Sequence, residues 1–276
     1  MTSRGRGANC APAAGESRVK VIFVGDIVSS PGRRAFAEVL PRLRREHAPD
    51  FVVVNGENAA GGLGITPPLA VELFEAGADC LTSGNHIWHW KEISEYLSSE
   101  PRLIRPANYP PGAPGSGLCV LHRGELALAV INLQGRVFMD AIDCPFRKAD
   151  ELLDGLGERA AVLVDFHAEA TSEKIAMGFH LDGRVSAVVG THTHVQTADE
   201  KILPGGTGYI TDCGMTGPHD SVIGMRKEII LQHFITQLPI RFDVAKGGVV
   251  FQGVLIEIGR GGACTSIKRL SVPLAD

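Results

Sequence analysis

Short β-branched runs of apolar residues alternate with amphipathic segments through much of the chain. Five of these runs have the length and composition of buried strands: 19–24, 51–54, 80–82, 161–164 and 187–189. Between the first two runs, apolar residues recur at helical spacing, as in Ala35, Val39 and Leu43. Because crossover helices favour parallel pairing of the strands they connect, this alternation predicts a largely parallel sheet with helices on its faces.

The middle and the end of the chain have a different pattern. Runs at 118–122 and 126–133 flank Arg123-Gly124, which is typical of a β-hairpin. Further strands are predicted at 208–211, 249–258 and 265–270, and the Gly-rich segment 214–220 is predicted to be a loop. These elements predict an α/β fold in which two sheets pack face to face as a sandwich flanked by helices.

The pattern also predicts the domain organisation. No internal repeat or linker interrupts the chain, so 19–276 is expected to form a single domain. Residues 1–18 are rich in Ala, Gly, Ser and Arg and lack any periodicity, so a flexible N-terminal extension is expected there.

Polar residues follow five of the predicted strands directly. They are Asp26, Glu57 with Asn58, Asn85 with His86, His167, and His192 with His194. Taken singly, Asp26 or Asn58 is typical of a helix cap or turn, and a lone His167 of a buried, hydrogen-bonded histidine. Ligands of open α/β sheets bind beyond the carboxyl ends of the strands, so we expect these five segments to converge. Their carboxylates, amides and imidazoles suit divalent Mn, Fe or Zn, and they suffice for two ions that share one carboxylate.

Composition narrows the class of protein. The 276 residues are 44% hydrophobic and 21% charged, which is ordinary for a globular protein. No apolar run approaches the roughly 20 residues of a membrane span, so a cytoplasmic location and no membrane partner are expected. The six cysteines are widely scattered, which argues against a zinc ribbon or a disulfide framework. A net charge of −4 disfavours binding to long nucleic acids but leaves single nucleotides open.

The polar segments resemble, in order and spacing, those of the calcineurin-like metallophosphoesterases, and the resemblance is closest to the YmdB-like branch. The motifs that carry it are Gly25-Asp26, Gly56-Glu57-Asn58, Gly84-Asn85-His86, His167 and the segment from Gly190 to His194. Further matches lie at 55–60, 132–136, 165–174, 191–199 and 214–218. The resemblance covers the chain from Val19 to about Leu270 and implies a four-layer αββα fold.

The resemblance also implies roles for individual residues. Glu57 would bridge two divalent ions, with Fe or Mn favoured and Zn or Mg as alternatives. Asp26, Asn58 and His194 would complete the first ion, and Asn85, His167 and His192 the second. His86 would act as proton donor. The substrate would be a small phosphodiester, with 2′,3′-cyclic nucleotides favoured, and the chain would form a homo-oligomer.

Some positions depart from the resemblance, and two other functions stay open. Val28 stands where the wider superfamily has a ligating histidine, and Asn58 is its natural replacement. His89 and His219 replace residues that are acidic or Tyr in many members of the branch, which bears on substrate fit. The alternatives are a phosphomonoesterase and a metal-containing regulator that binds RNA ends or a partner protein. The complete ligand set favours catalysis, with His192 and His194 on different ions.

Overall fold

Two β-sheets form the centre of the computed structural model, which describes residues 19–157 and 161–274. The strands are β1 (Val19–Val24), β2 (Asp26–Ile27), β3 (Phe51–Asn55), β4 (Cys80–Thr82), β5 (Leu118–Arg123), β6 (Leu126–Gln134), β7 (Ala161–His167), β8 (Ala187–Thr191), β9 (Lys201–Ile202), β10 (Gly208–Ile210), β11 (Met215–Pro218), β12 (Val249–Ile258) and β13 (Cys264–Pro273). The helices are α1 (Ser29–His47), α2 (Pro67–Glu75), α3 (Ile93–Ser99), α4 (Pro145–Gly155), α5 (Thr171–His180) and α6 (Lys227–Thr236). The extension predicted over 1–18 lies outside the described residues.

Each sheet combines parallel and antiparallel pairs of strands. The first sheet has the order β2-β11-β12-β1-β3-β4, with β13 paired to β12. In it β1, β3 and β4 are parallel, whereas β12 runs antiparallel to β1. The second sheet has the order β5-β6-β7-β8-β10-β9, and β6, β7, β8 and β10 are parallel. The predicted hairpin is confirmed as β5 and β6.

Three apolar cores separate four layers. Phe23 and Val53 of the first sheet share a buried core with Val130 and Leu163 of the second, so the sheets pack face to face. A second core joins the outer face of the first sheet to α1 and α2, and a third joins the outer face of the second sheet to α4 and α5. The predicted α/β sandwich flanked by helices is therefore confirmed.

Strand alternation decides which side chains lie between the sheets. On β7, Leu163 belongs to the core between the sheets, whereas Val164 belongs to the core under the helices. Because successive side chains of a strand point to opposite faces, Asp165 and His167 share the inner face with Leu163. The carboxyl end of β7 therefore directs polar side chains into the space between the sheets.

The Gly-rich segment 214–220 is not the loop that the sequence predicts. Four of its residues form β11, which pairs in parallel with β2 and antiparallel with β12. Gly217 permits this close packing, because a Cβ there would lie 3.0 Å from Cβ of Val28. Pairing with two flanking strands overrides the turn preference of Gly and Pro.

No helix in residues 19–157 or 161–274 is both long enough and apolar enough to cross a lipid bilayer. The expectation of one domain over 19–276 stays a prediction.

Candidate metal centre

The carboxyl ends of strands from both sheets meet at one place. Asp26 lies in β2, Glu57 and Asn58 follow β3, and Asn85 and His86 follow β4, all in the first sheet. The second sheet supplies His167 at the end of β7, and His192 and His194 directly after β8. All eight side chains belong to one contiguous set of contacts described below. The predicted convergence of the strand ends is thus present in the structure.

Glu57 lies at the centre of this set and is fully buried. Its Oε1 lies 3.2 Å from Nε2 of His167 and 3.3 Å from Nδ1 of His86. Burial alone disfavours the carboxylate, but attraction from His167 and His86 outweighs it and holds the pKa of Glu57 well below its usual value. Glu57 is therefore an anion in contact with groups on both sides of the centre.

His167, His192 and Asn85 form one side of the centre. His167 Nε2 lies 3.0 Å from Nδ1 of His192 and 3.1 Å from Oδ1 of Asn85. Atoms of Glu57, His167 and His192 lie within 4.8 Å of one another, as the ligands of one metal ion do. Burial and then His167 lower the pKa of His192 to about 3, so its imidazole is neutral and able to ligate.

Asp26, Asn58 and His194 form the other side. His194 Nε2 lies 3.8 Å from Oδ1 of Asp26 and 3.1 Å from Nδ2 of Asn58. Oδ1 of Asp26 is buried and has no hydrogen-bond partner in the described part of the chain. Burial, only partly offset by His194 and His167, raises the pKa of Asp26. An unpartnered carboxylate oxygen beside an imidazole nitrogen is what a bound cation would satisfy.

His167, His192 and His194 each have one ring nitrogen in contact with a group outside the centre. His167 Nδ1–H donates to Oγ1 of Thr191 at 2.9 Å, and His194 Nδ1–H donates to the Ile223 carbonyl at 2.9 Å. His192 Nε2 faces Oε2 of Glu169 at 3.2 Å. These contacts leave the other nitrogen of each ring directed inward, where the neutral form of the ring could ligate a metal ion.

A buried polar network centred on Asp165 holds His167 in position through Thr191. Thr191 donates its hydroxyl to Oδ1 of Asp165 at 2.7 Å, and Thr82 donates to Oδ2 of Asp165 at 2.5 Å. Asn55 also donates to Oδ2 of Asp165, at 3.1 Å. Burial raises the pKa of Asp165 to about 7. The sequence analysis did not predict that Asp165 supports His167. Strand alternation, which places Asp165 on the same face as His167, could have indicated it.

Gly84 allows the two sheets to approach at the centre. A Cβ at this position would lie 2.2 Å from Oε2 of Glu57 and 2.3 Å from Nε2 of His167. Glu57 and His167 can therefore lie this close to the β4 loop only because residue 84 has no side chain.

Val28, His219 and the two tryptophans that flank His89 lie outside the set of eight side chains. Val28 is fully buried and apolar, so it offers no ligand. The Trp90 indole donates to the Leu63 carbonyl, and Trp88 packs edge to face on Tyr109, which supports packing roles for both. His219 Nε2 lies 3.2 Å from the Met215 carbonyl in β11.

Comparisons with known proteins identify relatives of this chain over most of its length. The family model described as "YmdB-like protein" matches residues 22–270. The 2′,3′-cyclic-nucleotide 2′-phosphodiesterase of Bacillus subtilis (strain 168) is 52% identical over 241 residues, which cover 87% of this chain and 91% of that protein.

Solved structures give the same relationship. A hypothetical protein from Thermus thermophilus superposes with a TM-score of 0.87 at 43% identity, covering 93% of this chain and 100% of that one. A novel phosphatase from Mycoplasma pneumoniae superposes with a TM-score of 0.88 at 33% identity, covering 94% of each chain. With these relatives and a family match over most of its length, the chain belongs to the YmdB-like family.

Proposed function

We propose that the protein is a binuclear-metal-dependent phosphodiesterase. Glu57 would bridge two divalent ions, of which one is completed by Asp26, Asn58 and His194 and the other by Asn85, His167 and His192. The observation that carries the proposal is the unpartnered, buried Oδ1 of Asp26 in a centre whose histidines each direct one nitrogen inward. His192 contacts His167, whereas His194 contacts Asn58 and lies 3.8 Å from Asp26, which supports their assignment to different ions.

The carboxamide of Asn58 requires one adjustment for this role. As described, its Nδ2 faces Glu57 and His194, whereas its Oδ1 faces Nδ1 of His86 at 2.9 Å. The oxygen and nitrogen of an amide are assigned from their surroundings, and a cation beside His194 reverses the preference. With the amide flipped, Oδ1 becomes a ligand and Nδ2–H donates to Nδ1 of His86.

The flipped amide also defines what His86 does. When its Nδ1 accepts a hydrogen bond from Asn58, the mobile proton of His86 resides on Nε2. The side chain is 33% exposed, so Nε2 can reach a bound substrate. Bound divalent ions would supply Lewis acidity that lowers the pKa of a coordinated water and offsets the charge of a phosphodiester. To act as proton donor, His86 takes up a second proton on Nδ1, which lies 3.3 Å from Oε1 of Glu57; this imidazolium then donates its Nε2 proton to the leaving alkoxide and returns to the neutral ring.

The substrate class that we propose is 2′,3′-cyclic nucleotides. The support is the relative from Bacillus subtilis, whose name specifies that substrate and which is 52% identical over most of this chain. Carboxylate, amide and imidazole ligands favour Fe or Mn, with Zn or Mg as alternatives. The five described cysteines are free, which supports a cytoplasmic location within the same proposal.

The test uses protein purified anaerobically and loaded with Fe²⁺ or Mn²⁺. We expect about two ions per chain, and hydrolysis of 2′,3′-cyclic nucleotides and bis(p-nitrophenyl) phosphate that stops when a chelator is added. Faster turnover of p-nitrophenyl phosphate than of any diester would identify a phosphomonoesterase instead. Metal-loaded protein that binds RNA ends but hydrolyses neither class would support a regulator and contradict the proposal.

We also propose a homo-oligomer. Helix α6 and the segment after it expose a row of large apolar side chains: Leu231, Phe234, Ile235, Leu238 and Phe242. Contiguous exposed apolar surface of this kind is typical of a protein interface. Light scattering should report a mass above one chain, and Ile235→Glu should reduce that mass to the monomer.

A further inference from the structure

The loop that carries His192 and His194 has an uncommon backbone conformation. Both histidines have positive φ, 99° for His192 and 64° for His194. Residues with a side chain rarely adopt this region, and they persist in it only when the surrounding structure holds them there. The segment from Thr191 to His194 therefore needs specific contacts to keep its two imidazoles turned towards opposite sides of the centre.

A buried ion pair lies directly behind this loop. Nζ of Lys174 lies 2.6 Å from Oδ2 of Asp212, and both side chains are 1% exposed. Lys174 comes from the first turn of α5, which contacts β8, and Asp212 follows β10, which pairs with β8, so the ion pair joins two neighbours of β8. Burying two charges costs desolvation free energy, which only good geometry and additional hydrogen bonds can offset. The other contacts of this ion pair therefore indicate what it stabilises.

The ion pair binds the loop on both sides of His192. Lys174 Nζ donates to the Thr191 carbonyl at 2.7 Å. Oδ2 of Asp212 accepts from the Thr193 amide at 3.1 Å and from the Thr193 hydroxyl at 2.8 Å. His192 is thus held between two residues whose backbones are bound to the same pair of charges.

Other contacts fix the ion pair itself. Oδ1 of Asp212 accepts from the Gly214 amide at 2.8 Å, and the Asp212 amide donates to Oγ1 of Thr197 at 2.9 Å. At Gly190, a Cβ would lie 1.8 Å from the Thr211 carbonyl oxygen and 3.2 Å from Cδ of Lys174. The end of β8 is therefore packed closely against Lys174 and against Thr211, the residue before Asp212.

From these contacts we infer that Lys174 and Asp212 are positioning residues for the metal centre. They hold the backbone from Thr191 to Thr193 so that His192 and His194 present their nitrogens to different ions. This inference rests on the proposed function, because it assigns the ion pair a role towards those ions. Neither residue touches substrate or metal, and both act through the loop.

Removal of either charge leaves the other buried and unpaired, and that change could prevent folding. Thr193→Val avoids this difficulty, because it deletes only the hydroxyl bond to Asp212 and leaves the ion pair intact. Thr193→Ser keeps the hydroxyl and serves as the conservative rescue. Asp212→Asn, where it folds, tests the pair itself.

The matched control is Thr207→Val. The buried Thr207 hydroxyl donates to the Val185 carbonyl at 2.7 Å and accepts from the Gly183 amide at 2.9 Å, and neither partner belongs to the histidine loop or contacts the ion pair. Its replacement should lower the melting temperature without weakening metal binding. This control separates general destabilisation of the region from loss of loop positioning.

The measurement is the Kd for Mn²⁺ of the full chain, with the melting temperature of the metal-free protein recorded in parallel. We expect Thr193→Val to raise the Kd about tenfold and Asp212→Asn by about 10- to 100-fold, the range seen for partners of metal ligands. Thr193→Ser should remain close to the wild-type value. Melting temperatures that fall while every variant binds Mn²⁺ as the wild type does would overturn the inference and leave the proposed function intact. A wild-type protein that binds no Mn²⁺ would overturn both.

Discussion

Gly84→Ala tests whether the space between the β4 loop and the second sheet is required for the metal centre. The added Cβ would lie 2.2 Å from Oε2 of Glu57 and 2.3 Å from Nε2 of His167, whereas real Cβ contacts are essentially never under 3.0 Å. The two side chains and the loop must therefore separate by about 0.8 Å. Displacement of that order in a catalytic arrangement lowers activity about 10²-fold.

The expected result is a kcat/KM for bis(p-nitrophenyl) phosphate reduced about 10²-fold and a Kd for Mn²⁺ raised at least about tenfold. Gly155→Ala is the matched control, because a Cβ there meets nothing within 4 Å. Thermal unfolding of the metal-free proteins reports whether the variant has kept its fold. Metal affinity and turnover within about threefold of the wild type in Gly84→Ala would refute the packing of Glu57 against His167 described above.

Three further predictions concern the same centre. His86→Ala should leave metal content unchanged and lower turnover of 2′,3′-cyclic nucleotides about 10²-fold or more; bis(p-nitrophenyl) phosphate should be affected much less, because nitrophenolate leaves without a proton, and equal losses on both substrates would contradict a proton-donor role. A chelator should lower the melting temperature, and Mn²⁺ should restore it in proportion to the logarithm of its concentration, since an ion that binds only the folded state stabilises it; a melting temperature that does not respond to either would argue against a metal site. In the metal-free protein, burial is outweighed by Glu57 and Asp26, which raise the pKa of His167 to about 9. The folded state therefore binds this proton more tightly than the unfolded state, and its stability should fall between about pH 6.5 and pH 9 as the proton is lost; His167→Gln should flatten that slope in thermal melts.

Local pattern was sufficient to predict most of the framework. The strands at Val19–Val24, Cys80–Thr82 and Val249–Ile258 are found with the predicted bounds, because their β-branched residues are buried on one or both faces. The eight polar residues at strand ends lie in mutual contact, since parallel strands place their carboxyl ends at the same edge. Their assignment as ligands and proton donor stays a prediction.

Features that depend on distant partners could not be read from the sequence. Lys174 and Asp212 are 38 positions apart, and nothing in either segment indicates that their side chains meet behind β8. The sequence likewise does not indicate that the Glu169 carboxylate contacts the His192 ring, as it does in the structure. The strand β11 was missed because its pairing with β2 and β12 outweighs a sequence of turn-forming residues.

The joining of Asp26 and His192, which are far apart in the sequence, at one centre restricts when that centre can form during synthesis. The His192 amide donates to Oδ2 of Asp26 across 166 positions. A nascent chain that ends before β8 contains Glu57 and His167 but neither His192 nor His194. Strand β1, which leads into Asp26, lies between β3 and β12. Its neighbour β12 is translated after both His192 and His194. Under the proposed function, metal is acquired after translation is almost complete, and the metals accessible to the finished protein determine which ion it holds.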